Sequence, residues 1–424
     1  MKENLLHYVW QSALFDTTHL KTTDGRPIQL IRRGFINTDG GPDFSNARIR
    51  IGGQLWIGNV EIHISDVDWK GHGHHNDTVY DTTILHVVYE HRVDVFRTDG
   101  SKIPVLELKN RINSQVLNRY QFLQSHTSKI PCASTGLTLS KPIVTMQFER
   151  MAIERLKDKS VHIRALHKLT NSNIERCFLI LLFESFGMRV NRLPMGLLGR
   201  KIDLRFLARH HNKTLLLEAY LFGMAGMLHS EYQDAYPNRL RKEFSYLQHK
   251  YELSSIDPST WKFLRLRPPN FPTLRLAQLA ALLAQKSQLF EQLTSCTRHD
   301  EVGNILTVET SPYWKAHYTF DKPTRKAACG IGEQLVDVVI LNTIAPIMYF
   351  YGQLNSLPNW TDRALDFLAS VKPENNRVTR RFTDVGFEVN NGLASQGALQ
   401  LHNKYCTFKR CLECQIGHEV LKRE

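Results

Sequence analysis

The sequence predicts an α+β protein, with a mixed α/β module over residues 1–130 and a larger, mostly helical part over 131–424 that ends in a cysteine-rich tail. Three observations carry this. Before residue 110, apolar and β-branched residues run or alternate in five short segments, the pattern of strands. After Pro131 the apolar period becomes that of helices with one buried face. A chain of 424 residues with 42% hydrophobic and 22% charged residues has the make-up of a globular protein with two or three domains, and it excludes bulk disorder and fibrous repeats.

The elements follow in order. Leu5, Leu6, Val9, Trp10, Ala13 and Leu14 recur at helical spacing. Strands are expected at 28–32, 47–51, 55–64, 83–89 and 103–108, with Gly52-Gly53 as a hairpin turn and a short helix over 74–80. Helices are expected at 142–169, 174–186, 215–228, 238–251 and 273–283, the last fenced by Pro268, Pro269 and Pro272.

No run of 18 uncharged apolar residues occurs, and the most apolar stretch, 336–351, is broken by Asp337, Asn342 and Pro346, so it is expected as buried core and no membrane is expected as partner. The first 15 residues carry Glu3, His7 and Trp10 and no small-residue cleavage site, which predicts a cytoplasmic protein. Gly330-x-Gly332 lacks the third glycine and the acidic residue of a dinucleotide fingerprint, so no nucleotide cofactor is expected. Residues 1–130 hold 15 Lys+Arg against 14 Asp+Glu, which leaves nearly the whole surplus of +13 in the helical part. Such a body attracts polyanions, and nucleic acid is the expected partner. Nothing in the pattern addresses oligomeric state.

The polar residues are densest among the strands. Gly41-Pro42-Asp43-Phe44 precedes one strand and Gly58-Asn59-Val60-Glu61-Ile62-His63 lies on the next. Alternation puts Asn59, Glu61 and His63 on one face of a half-buried strand, and pairing across Gly52-Gly53 brings Asp43 near them. Two converging carboxylates suit Mg²⁺ or Mn²⁺. His72 and His74 follow, with His75 and His86, and imidazoles suit zinc or manganese. The predicted catalytic residues are Asp43, Glu61 and His63, and the predicted metal ligands here are Asp43, Glu61, His72 and His74. Glu107-x-Lys109 is a weaker alternative.

The GPDF segment, the strand and Glu-x-His resemble the signature of restriction-endonuclease-like nucleases, where an Asp precedes a strand and Glu-x-Lys lies on the next. The resemblance implies a nuclease-like module over 25–110, with Asp43 and Glu61 as metal ligands and His63 in the place of the lysine. Along nearly the whole chain, GPDFSNARI, GNVEIH, TTILHVVYE, LRLRPPNFPTLRLAQLA and YCTFKRCLEC resemble the bacterial domain-of-unknown-function 2851 family, which implies a shared fold.

Seven cysteines in a sparse, odd-numbered set argue against a disulfide framework. Cys406, Cys411, Cys414 and His418 have the spacing of a closed zinc site if 400 onward is helical. Cys132 is the alternative fourth ligand, an arrangement that resembles nucleases clipped shut by an iron-sulfur cluster. The loop from Trp261 to Pro272 interleaves aromatics with cations, so Arg265, Arg267 and Arg275 are the candidates for gripping phosphates, with anchoring of the loop as the other reading. These features together predict a metal-dependent nuclease. The alternatives are a nucleic-acid-binding or scaffold protein with a structural metal, and a histidine-rich metallohydrolase of a small substrate.

Overall fold

The computed structural model describes residues 2–135, 139–325 and 327–422. The chain is α+β and divides into two compact units, residues 1–147 with 401–424, and residues 148–400.

The first unit begins with α1 (Glu3–Ser12) and continues through β1 (Ile28–Arg32), β2 (Phe35–Ile36), β3 (Phe44–Ile51), β4 (Gln54–Ser65), α2 (Val67–Gly71), β5 (Thr83–Glu90), β6 (Val105–Glu107) and α3 (Ser114–Ser125). The sheet order is β1-β3-β4-β5-β6, with β2 beside β3. β3 and β4 are the expected hairpin, antiparallel about Gly52 and Gly53, whose φ of +59° and +91° fit a tight turn that favours glycine. β4, β5 and β6 run parallel. Leu5, Leu6, Val9 and Trp10 of α1 pack against Ile49, Val60, Ile62, Leu85 and Val87, so the regular apolar stripe read from the sequence is the face that meets the sheet.

Two expectations change. β4 is buried on both faces over Val60–His63, because residues 67–82 fold over the polar face there and Trp69, Val88, Val95, Ile103 and Val105 form a second apolar cluster with Tyr80. The tail belongs to the α/β unit and not to the helical part, since Cys411 and Val420 and Leu421 of the C-terminal helix (Gln415–Lys422) are buried in the core of the sheet. An apolar face that short carries no mark of which core receives it.

The second unit is helical. It takes in α4 (Lys141–Leu169) from Phe148 on, α5 (Ile174–Phe186), α6 (Arg192–Lys201), which was not expected, and α7 (Thr214–Met224) and α8 (Pro272–Gln285), the other four close to the expected bounds. Among the described residues one helical run, Glu333–Leu354, is long and apolar enough to cross a membrane, and 78% of its apolar window is buried inside the protein, as the interruptions by Asp337, Asn342 and Pro346 suggested. A π turn, Ile340–Ile344, interrupts it.

Candidate metal centre

The register of the sheet assembles the site. Phe44 pairs with Val60, which sets Asp43 beside Glu61: the Asp43 amide donates to Glu61 Oε2 (3.0 Å) and the Ile62 amide donates to Asp43 Oδ2 (2.9 Å). The positive φ of Gly41 turns the chain into this position, and a side chain there would press on Val79. In the parallel pairing Glu61 lies opposite His86, and the inward face of β4 and β5 therefore carries Glu61, His63 and His86 together.

His72 and His74 come from the turn after α2. His63 Nε2 lies 3.1 Å from His72 Nδ1 and 3.5 Å from Glu61 Oε1, and His74 Nε2 lies 3.3 Å from the same oxygen. Tyr80 stacks on His74 at 3.7 Å, and Trp69 closes the inner end against His74 and His86. Among the described residues, two sets of possible ligand atoms lie within 4.8 Å of one another: His63, His72 and His74, and Glu3, His7 and Asp43. Glu61 stands between them, bonded to Asp43 on one oxygen and facing His63 and His74 on the other.

The electrostatics are those of an uncompensated cluster. Burial first, and then the charge of Asp43, push the Glu61 carboxyl up to about 8. Burial, with His72 and His74 nearby, lowers His63 to about 4, so this imidazole is neutral. It cannot supply the fixed positive charge of the lysine whose place it takes in the nuclease pattern. Burial opposes protonation of His7 as well, but the hydrogen bond and charge of Asp43 outweigh it and raise His7. His86 is fully buried, its Nε2 is 2.8 Å from His63 Nδ1, and its Nδ1 has no partner among the described residues. Its contact with His63 orients that ring.

The sequence singled out Asp43, Glu61, His63, His72 and His74, and the structure brings all five together. It adds Glu3 and His7, which occupy adjacent turns of one helix face, a Glu-x3-His spacing that was legible as such. Asp66, from the same polar run, is instead a turn anchor that accepts from the amides of Arg92 and Val93 and pairs with His91. Lys109 of the alternative Glu-x-Lys pairs with Glu90 on the surface.

The tail makes a second constellation. Cys132, Cys406, Cys411 and Cys414 line one cavity of about 20 Å³ with Tyr405 and Ile416. All are free thiols. Burial and the neighbouring sulfurs push Cys132 and Cys406 well up and Cys411 to about 12. Gly417 lets the C-terminal helix close on this group, because a side chain there would lie 2.1 Å from the Cys411 carbonyl oxygen. His418 is not the fourth member. The segment after 400 is a π turn, a 3₁₀ turn and a new helix, so the expected common helical face does not form. His418 Nε2 bonds the Leu412 carbonyl and its ring lies tilted against Tyr8 at 4.7 Å, while Cys132 lines the cavity as the fourth thiol.

Of the three candidate arginines, Arg265 and Arg267 are exposed, whereas Arg275 is buried in α8. Its guanidinium donates to Gln278 (2.8 Å) and Asn270 (2.6 Å), and burial lowers it to about 10. Arg275 anchors the proline-rich loop and is withdrawn as a phosphate contact.

Residues 3–377 match the model of the family described as Protein of unknown function (DUF2851), and the chain belongs to that family. No curated protein and no solved structure matches the chain significantly.

Proposed function

We propose that the protein is a metal-dependent, nuclease-like phosphodiesterase acting on DNA or RNA, with Asp43, Glu61 and His63 at its centre. The observation that supports it is the pair of adjacent three-ligand sets joined by the buried Glu61. The donor set fits a divalent ion, because ring nitrogens of His63, His72 and His74 lie within 4.8 Å of one another beside the buried Glu61 carboxyl. Imidazoles favour Mn²⁺ or Zn²⁺ over Mg²⁺, which prefers oxygen ligands. A divalent ion bound there supplies a polarised phosphoryl oxygen and an acidified water. The chain's own contributions are distinct. Asp43, Glu61, His63, His72 and His74 hold the charge, His86 fixes His63, and His7 is the imidazole that retains a proton beside Asp43, so it takes over the cationic role of the missing lysine. The basic helical part, with Arg265 and Arg267 exposed, supplies attraction to phosphate backbones.

The four cysteines form a second, structural metal site in this reading, holding zinc or an iron-sulfur cluster that ties residue 132 to the tail. Burial and the neighbouring sulfurs hold the thiols of Cys132, Cys406 and Cys411 in their protonated form, and metal binding would release those protons.

The histidine trio also suits a metallohydrolase of a small substrate, so the test is a substrate panel. Purified protein with Mg²⁺, Mn²⁺, Zn²⁺ or Co²⁺ is expected to cut single- or double-stranded DNA or RNA, and Asp43→Asn and Glu61→Gln are expected to abolish cutting with the fold intact. Cutting at the parent's rate by both variants overturns the assignment, and turnover of small esters alone moves it to the second reading. Cys411→Ser is expected to release metal and melt the tail. A metal-free, colourless and fully folded parent would leave the cysteines as packing.

A further inference from the structure

The helical unit holds a second cavity, of about 290 Å³, lined by Arg155, Asp158, Lys159 and His162 on one face of α4, by Arg192 at the start of α6, and by Asn342 of the π turn. Its size is at the lower end of small-molecule sites. The four basic groups fall into two pairs with different partners. Arg192 and His162 share a carboxylate: Glu184 accepts from the Arg192 guanidinium (2.8 and 3.0 Å) and stands 3.0 Å from His162 Nε2. Arg155 and Lys159 have no ion pair among the described residues. Lys159 Nζ donates to three neutral oxygens, the Leu341 carbonyl (2.8 Å), Asn342 Oδ1 (3.1 Å) and Gln396 Oε1 (3.0 Å), and Arg155 Nε donates to the same Gln396 oxygen (2.7 Å). The carboxylates of Glu374 and Asp158 are within electrostatic range of Arg155 but are bonded to the amides of Gln396 and Gln400. Among the described residues, the two terminal amino groups of Arg155 make no hydrogen bond.

Burial, and then the charge of Arg155, lower Lys159 to about 7, against the pull of Glu374. Half-buried cations whose nearest carboxylates are bonded to other groups are costly unless something else supplies counter-charge. The backbone is shaped for the same spot: the π turn frees the Leu341 carbonyl to hold Lys159, and such turns concentrate at functional sites.

We propose that this cavity is a binding site for a phosphate group, carried either by a small phosphate ester or by the terminus of a nucleic acid, with Arg155 as the fork that grips it and Lys159 as the second donor behind. A guanidinium presents parallel donors to phosphate oxygens, and a lysine held by three neutral oxygens is kept in place without being paired to a carboxylate, so a bound anion would favour its charged form. Glu184 keeps Arg192 and His162 at the rim, so the site prefers an anion small enough to pass between them. This assignment does not depend on the metal centre of the other unit.

The test uses the full chain. Inorganic phosphate, adenosine 5′-monophosphate and a short oligonucleotide with a 5′-phosphate or a 5′-hydroxyl are titrated by calorimetry, with chloride held constant. Saturable binding of phosphate or the monophosphate is expected, with Arg155→Gln weakening it at least 10-fold and Lys159→Met as much or more. Arg155 is the safer variant, because Lys159 also holds the π turn; unchanged circular dichroism and melting temperature of Arg155→Gln keep the comparison valid. A preference for the 5′-phosphate over the 5′-hydroxyl that disappears in Arg155→Gln assigns the site to nucleic-acid ends, and binding of the monophosphate alone assigns it to a small ester. No saturable binding up to 10 mM phosphate, or binding unaffected by Arg155→Gln, overturns the proposal.

Discussion

Glu61 in the α/β unit and Glu218 in the helical unit are both sealed inside the protein, and their surroundings are opposite. Glu218, on α7, accepts from Tyr236 (2.7 Å), Ser311 (2.6 Å) and the indole of Trp314 (3.1 Å), three neutral donors that fill its lone pairs. Glu61 faces another carboxylate and imidazoles, and of its neighbours only the Asp43 amide donates to it without titrating. Burial raises both carboxyls. Burial with a perturbed titration therefore does not by itself mark function. What separates them is the partners: neutral donors surround Glu218, and titratable groups surround Glu61.

The comparison can be broken in several places. The largest effect is expected at Glu218→Leu, which orphans the buried Trp314 indole and two half-buried hydroxyls at once and should cost about 3–5 kcal/mol, read as a lower urea midpoint at unchanged slope. The same substitution at Glu61 would remove a repulsion and should cost far less in metal-free protein; equal losses would erase the distinction.

Glu61 should instead respond to metal. An ion at 100 times its dissociation constant stabilises the parent by about 2.7 kcal/mol, and Glu61→Gln should lose that shift, measured as melting temperature against added Mn²⁺ or Zn²⁺. An undiminished shift in the variant would place the ion elsewhere.

For Glu218 the sign of the pH dependence follows from its raised carboxyl. Burial outweighs the three donors, so the folded protein holds this proton above the pH at which the unfolded chain releases it. Its contribution is fully present below the ordinary carboxylate range and is lost as pH rises through the folded value. Glu218→Gln should flatten that part of the stability profile, and a profile unchanged by the variant would mean that the carboxyl is ionised when folded.

The smallest effect separates the loop arginines. Arg267→Ala should reduce the slope of log affinity for duplex DNA against log salt by about 0.9, whereas Arg275→Ala should leave that slope alone and loosen the loop. Filter binding across a salt series distinguishes them.

Secondary structure was legible in the strands, in the first helix and in five helices of the helical part, while helices such as Arg192–Lys201, Pro358–Ser370 and Gly392–Gln400 were not singled out. The alternation along 55–64 and the glycine pair specified the hairpin, and the stripe in 3–12 specified the helix, because period and turn chemistry are local properties. The cluster of Asp43, Glu61, His63, His72 and His74 was legible for the same reason: its members are close in sequence or linked by one tight turn. Glu3, His7 and His86 were harder. A glutamate and a histidine one helical turn apart look like any solvated helix face until the helix is laid on β4, and His86 looks like part of an apolar strand.

The sequence by itself thus determined those elements, the hairpin register, the basic character of the helical part and the local polar motif, since each depends on residues within reach along the chain. Only the tertiary structure decided the rest. It chose Cys132 over His418 in the thiol group and the α/β unit over the helical one for the tail, it buried Arg275, and it set Arg155 and Lys159 beside a π turn almost 200 residues away in sequence. These are choices among partners that are equivalent in residue type. Packing of whole faces makes them, and no local pattern records which face meets which.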